Sequence, residues 1–257
     1  MKKKIIPEDC YKRTNMFTAE DISVGTAVVG QAVRFDVQNR QVVVDLGYPW
    51  VGIIPEDEIT IYKFTYPIGV NVPKQVTSVI GSQVRAIITD IVDEYTLKLS
   101  RKASMLEAWE EIQEGERYLA YAKKNIGSGC FIDIGNGITT LIPKKEISYN
   151  RMTDINIWIK KGDTTKIIVL SKECDGYKIQ ISRKQAYSNI KDVDRDLNID
   201  DVVTARIGQK TDGGYFCEVT PGITGILDTE YTYKEGDNVT VYIKKIGENG
   251  LKLGALY

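Results

Sequence analysis

VVVDLGYPWVGIIPEDEI, residues 42–59, returns as CFIDIGNGITTLIPKKEI at residues 130–147 and, faded, as CEVTPGITGILDTEY at residues 217–231. Self-similarity at a long period makes a chain an array of one small unit, because each copy carries the same local folding preferences. Function is then to be sought on a repeated surface.

Around each copy the pattern is that of strands. In the first unit TAVVGQAVRFDV, QVVVDLG, PWVGIIP, SQVRAIITDI and YTLKLSRK are rich in β-branched residues and broken by turns. The second unit gives ERYLAYAKKNI, GCFIDIG, ITTLIP, TTKIIVLS and YKIQISRK, and the third DVVTARIGQ, GYFCEVT, ITGILD, NVTVYIKKI and GLKLGAL. Five strands of this length with a glycine near most corners favour a small closed Greek-key barrel over an open sheet with long edges. The fold class expected is all-β, three tandem five-stranded barrels joined by short helical or charged linkers.

The boundaries that follow are an N-terminal extension at 1–23, barrels at 24–102, 114–186 and 197–257, a linker helix at 103–113 and a linker at 187–196. The helix is predicted because Met105, Leu106, Trp109 and Ile112 fall at helical spacing ahead of Gly115. The connection after the third strand varies most in length, so residues 60–81, with Tyr62, Phe64 and Tyr66, read as a surface loop with a local hydrophobic patch. Asp192, Asp194 and Asp196 imitate the start of a calcium loop. Leu197 stands where such a loop needs glycine and Val203 where it needs glutamate, which leaves a solvated linker.

Composition narrows the function. The chain of 257 residues has 42% hydrophobic and 27% charged residues, a net charge of -1 and no histidine. No run approaches the roughly 18 apolar residues of a membrane span, and the basic start at Lys2, Lys3 and Lys4 leads into no long apolar region, so a cytoplasmic protein is expected. Without histidine there is no Ser-His-Asp or Cys-His relay and no H-E-x-x-H site, and no phosphate-binding glycine loop is present. Cys10, Cys130, Cys174 and Cys217 form no C-x-x-C pair and read as reduced core thiols. No enzyme, metal or cofactor is expected. Near-zero net charge means that any nucleic-acid binding comes from local faces.

Three sets of residues carry a family resemblance. Asp45-Leu46-Gly47 and Asp133-Ile134-Gly135 close the second strands. Ile54-Pro55 with Glu58, and Ile142-Pro143 with Glu146, follow the third; Leu99-Ser100-Arg101-Lys102 and Ile181-Ser182-Arg183-Lys184 close the fifth. In this pattern the chain resembles the S1 RNA-binding domain, an OB-fold repeat, well over residues 24–186 and loosely over 197–254, where Asp228 replaces the proline and Gly254 the serine. The resemblance implies a non-enzymatic protein of translation that binds single-stranded RNA, mRNA in particular, and has ribosomal small-subunit proteins as partners, with no membrane or small-molecule substrate. The alternative it also implies is a protein-docking module with little RNA affinity of its own.

Strand alternation sets the expected contact residues. With Cys130, Ile132 and Ile134 inward, Phe131 and Asp133 point out; with Tyr215, Cys217 and Val219 inward, Phe216 and Glu218 point out. Phe131 and Phe216 occupy the place where the family carries a base-stacking aromatic, and Val43 stands there in the first unit. Lys98, Lys178 and Lys252 on fifth strands, and Arg34, Lys123 and Arg206 on first strands, are the cations placed to meet phosphates. A histidine frequent after the third strand of the family is replaced by Pro55, Pro143 and Asp228.

Overall fold

A computed structural model describes residues 22–67, 71–150, 153–187, 197–247 and 250–256. The first unit is built from β1 (Ala27–Asp36), β2 (Gln41–Asp45), β3 (Val51–Pro55), β4 (Gln83–Ile91) and β5 (Thr96–Ser100), closed in the order β1-β2-β3-β5-β4. The third repeats it with β11 (Val202–Thr211), β12 (Gly214–Thr220), β13 (Ile223–Asp228), β14 (Asn238–Gly247) and β15 (Gly250–Ala255), closed as β11-β12-β13-β15-β14. Between them β6 (Arg117–Ile126), β7 (Gly129–Gly135), β8 (Ile138–Pro143), β9 (Thr164–Glu173) and β10 (Lys178–Ser182) form a sheet ordered β10-β9-β6-β7-β8. This is the same circle opened between its third and fifth strands, where Thr140 Oγ1 donates to the Ile179 carbonyl at 2.8 Å. The all-β reading of three small barrels holds. Among the described residues no helix is long and apolar enough to cross a membrane.

Alternation builds each core. Val42, Val44, Val84, Ala86, Ile88, Leu97 and Leu99 meet inside the first barrel, and Ala205, Ile207, Cys217, Leu227, Ile243 and Leu253 inside the third. Alternation breaks once on every first strand, where the register slips between Ala32 and Arg34, between Ala122 and Lys124, and between Ile207 and Lys210. Such a bulge twists the strand and leaves neighbouring residues on the outer side, so Val33 with Arg34, and Lys123 with Lys124, are all exposed.

The loop expected at 60–81 contains a helix, α1 (Lys74–Val79), whose Val76 and Val79 are buried in the first core. The expected surface connection is therefore partly core. Tyr66 from the same stretch is half exposed and donates its hydroxyl to Glu56 at 3.0 Å. The linker helix is α2 (Arg101–Glu111), and it begins two residues earlier than predicted because the Ser100 hydroxyl accepts from the Ala103 amide at 2.8 Å. Met105, Trp109 and Ile112 are fully buried as its pattern required. Two short turns follow β8: α3 (Lys144–Ile147) and α4 (Ile155–Trp158). The N-terminal residues 1–21, with Cys10, and the linker residues 188–196 lie outside the described residues.

The resemblance motifs have a mechanical role. Ser100 Oγ donates to Glu58 while Arg101 Nη1 donates to the Ile59 carbonyl at 2.7 Å. In the second barrel Glu146 is hydrogen-bonded to Ser182 and to Gln185 Nε2, and Arg183 Nη1 donates to the Ile147 carbonyl at 2.8 Å. Glu and Ser-Arg thus tie the turn after the third strand to the end of the fifth. Burial pushes the Glu146 carboxyl up, but its bonds to Ser182, Gln185 and Lys184 outweigh this and hold it below the ordinary range.

Candidate nucleic-acid interface

Cross-strand register brings the predicted residues into rows on the outer barrel surface. In the first barrel Arg34 pairs with Val43, Val43 with Ile53 and Ile53 with Lys98, so all four share one row over β1, β2, β3 and β5. Beyond it stands Asp90, opposite Lys98. In the third barrel Phe216 pairs with Ile226, Ile226 with Lys252, and Lys252 with Lys245. With strands about 4.8 Å apart, the Phe216 backbone lies about 10 Å from that of Lys252. Where the first barrel places a lysine against an aspartate, the third places two lysines side by side, with exposed Lys244 next in sequence. Like charges directly opposite are unfavourable unless an anion lies between or above them.

In the second barrel Phe131 is 38% exposed and pairs with Lys124, which is itself exposed. Lys124 was missed by sequence reasoning, which chose its neighbour Lys123. The signal was the Lys-Lys pair breaking strand alternation, the mark of the bulge. Lys123 remains exposed but sits 3.5 Å from Asp133. Lys178 is exposed at the start of β10, and Gln180 aligns with Lys98 and Lys252. Phe216 is half buried.

Three expectations change. Arg206 is not free on the face: its Nη1 donates to the Ile157 carbonyl at 2.8 Å, at the end of α4. Asp133 and Glu218, expected to point into solvent, are 4% and 5% exposed. They do leave their barrel cores, but Glu218 is covered by the second barrel. Arg183 Nη1 and Nη2 each lie 3.3 Å from Glu218 Oε1, and Ser148 Oγ donates to Oε2 at 2.5 Å. A second lock joins the same two barrels, with the Thr153 amide and hydroxyl donating to Glu235 at 3.0 and 2.6 Å. Burial raises the Glu235 carboxyl, but the Thr153 and Trp158 bonds prevail and depress it. Cys130 and Cys217 are core thiols, pushed by burial up to about 11 and about 12, whereas Cys174 is exposed in the turn before β10, contrary to expectation.

Two closed barrels and one nearly closed one, all with this strand order and bearing outer rows of aromatics and cations, define a protein of three OB-fold units. Residues 111–184, which hold the second barrel, match the family model described as "S1 RNA binding domain". The chain is homologous to bacterial ribosomal protein bS1. It is 32% identical to small ribosomal subunit protein bS1 of Chlamydia trachomatis over 155 residues, 58% of this chain and 27% of that relative. To the bS1 homolog of Bacillus cereus it is 26% identical over 219 residues, 81% of this chain and 53% of the relative. It also matches 4-hydroxy-3-methylbut-2-enyl diphosphate reductase of Clostridium acetobutylicum, 25% identical over 65% of this chain and 28% of that protein. The chain thus spans between about a quarter and a half of the length of these relatives.

Proposed function

We propose that this chain is a non-enzymatic, cytoplasmic RNA-binding protein of translation that holds single-stranded mRNA at the small ribosomal subunit. The observation that carries the reading is the row Phe216, Ile226, Lys252 and Lys245 on one outer face. An aromatic flanked by cations in register is what a base and its phosphates require. Phe131 beside Lys124 supplies a second such place. Bases stack on Phe131 and Phe216, while Lys124, Lys245 and Lys252 take phosphates, with Lys123 and Lys178 at the margins. Arg34 and Lys98 give the first barrel cations without an aromatic, so it contributes less.

A base-aromatic stack is worth about 1–3 kcal/mol. Fluorescence anisotropy with a pyrimidine-rich RNA strand, at two salt concentrations, tests the reading. Phe131→Ala with Phe216→Ala is expected to weaken binding by at least about tenfold. Lys245→Ala with Lys252→Ala should reduce the salt slope by about 0.7 per lysine. No binding near physiological salt, or indifference to the aromatic pair, refutes it.

A further inference from the structure

One end of each barrel is formed by the turn between its second and third strands together with the turn between its fourth and fifth. In the second barrel α2 covers this end. Tyr177 meets Trp109 edge-on with ring centroids 5.3 Å apart, and Lys172 Nζ donates to the Ile112 carbonyl at 2.9 Å while lying 5.0 Å over the Trp109 ring. Gly137 adopts a φ of +82° there, which favours glycine, and lies close under the Arg101 guanidinium. In the third barrel Glu218, at the end of its second strand, takes Arg183 from the second barrel. The chain therefore shows the same kind of end receiving protein twice, once through an amphipathic helix and once through an arginine on a carboxylate.

Among the described residues nothing covers the same end of the first barrel. Tyr48 is 98% exposed, and Val92, Ile91, Tyr95 and Val51 are 55%, 46%, 45% and 39% exposed. The two turns that carry them are joined, since the Val51 amide donates to the Tyr95 carbonyl at 2.8 Å, and the second turn is closed by the Val92 amide donating to the Thr96 carbonyl at 2.9 Å. Asp45, the counterpart of Glu218, is exposed beside them, and Asp90, Asp93 and Glu94 form an exposed acidic rim. Large apolar groups gathered at one exposed place inside a polar rim mark a binding surface.

We propose that this end docks a basic amphipathic helix of another protein, which seats its apolar face on Tyr48, Val51 and Tyr95 and an arginine on Asp45. The acidic rim selects for a basic partner. A second copy of the chain is poorly equipped for the role. Its third barrel has Gly254 and Ala255 where the others have Ser-Arg, and its Arg101 and Arg183 are already engaged on the carbonyls of Ile59 and Ile147.

The probe is a synthetic peptide with the sequence of residues 100–113 carrying Glu107→Lys, Glu110→Lys and Glu111→Lys, titrated into the full chain and followed by calorimetry. Saturable binding is expected, weakened at least about tenfold by Asp45→Lys or by Tyr48→Ser with Tyr95→Ser. Phe216→Ala should leave it unchanged. These side chains are exposed, so an unaltered thermal melt checks the fold. Absence of saturable binding, or binding indifferent to the tip substitutions, overturns the proposal. So does a concentration-dependent dimer in sedimentation that the tyrosine substitutions abolish, since the occupant is then a second copy. Binding that appears only after removal of residues 1–21 overturns it as well, because the occupant is then the chain's own start.

Discussion

Removing one partner of the Arg183–Glu218 pair should be far more damaging than removing both. The side chains are 7% and 4% exposed and 3.3 Å apart. At that separation, with an effective dielectric constant of about 20, their attraction is about 5 kcal/mol. Most of it offsets the desolvation of two charges, so the pair as a whole adds little net stability. Glu218→Gln leaves the guanidinium buried without its countercharge, and a cost of about 3–5 kcal/mol is expected. Arg183→Met leaves the carboxylate buried and also removes the bond to the Ile147 carbonyl, so it should cost about 1 kcal/mol more. Arg183→Met combined with Glu218→Leu should return to within about 1–2 kcal/mol of the parent, because apolar groups of similar volume replace both charges. Urea unfolding followed by circular dichroism gives the three values, and hydrogen exchange over residues 214–220 locates the effect. A double variant that costs the sum of the two singles would refute the account, as would single variants within 0.5 kcal/mol of the parent, roughly the spread of neutral surface changes.

Val43→Phe places an aromatic at the row position of the first barrel and should raise RNA affinity by about fivefold or more, measured by anisotropy against the same strand. Acid should unlock the second barrel from the third. Glu235, which bridges the two, and Glu146, which closes the second barrel on itself, are both depressed in the folded protein, so their stabilisation is complete above about pH 4.5, the ordinary carboxyl value, and is lost as pH falls through their folded values. Thermal melts between pH 6 and pH 3 should show a steeper fall for the parent than for Glu235→Gln; parallel curves would contradict the assignment. Gly214→Ala should cost about 1–3 kcal/mol, since its φ is +121° and a Cβ would lie 2.3 Å from the Leu227 carbonyl oxygen. Urea midpoints decide it, and an unchanged midpoint would show that the hairpin relaxes freely.

Much of the architecture was legible because alternation is a local property. Cys130, Ile132 and Ile134 share a face whatever surrounds them, and Phe131 must then take the other. What escaped were features set by distant chain. Glu218 reads as a solvent-facing residue until Arg183 and Ser148 arrive from the preceding barrel. Arg206 reads as a surface cation until α4 presents the Ile157 carbonyl. The short helix α1 was hidden in a stretch whose variable length suggested a mere loop, since Val76 and Val79 declare themselves as core only against the barrel they fill. Lys124 was lost for a different reason. A bulge shifts alternation by one residue, and a reading that assumes unbroken period two assigns the wrong lysine of a pair.

The three barrels differ at a few equivalent positions, and each difference falls on a different task. At the row position Val43, Phe131 and Phe216 separate a barrel without an aromatic from two that have one. At the end of the second strand an exposed Asp45 contrasts with the buried Asp133 and Glu218. At the end of the fifth strand Ser100-Arg101 and Ser182-Arg183 give way to Gly254-Ala255. The Ser-Arg pair closes its own barrel, and Arg183 also reaches Glu218 of the third, so the second and third barrels are tied to each other. Fixing the third barrel against the second holds Phe131 and Phe216 at a constant separation, and on the proposed reading this raises the effective concentration of the second stacking site once the first is filled. Binding should then be more than additive in the two aromatics: Phe131→Ala and Phe216→Ala should each remove most of the gain that the pair provides, and Glu218→Gln, which keeps both phenylalanines, should weaken RNA binding by loosening the distance between them. Equal RNA affinity in Glu218→Gln and the parent, with the seam shown open by hydrogen exchange, would mean that the two faces bind independently.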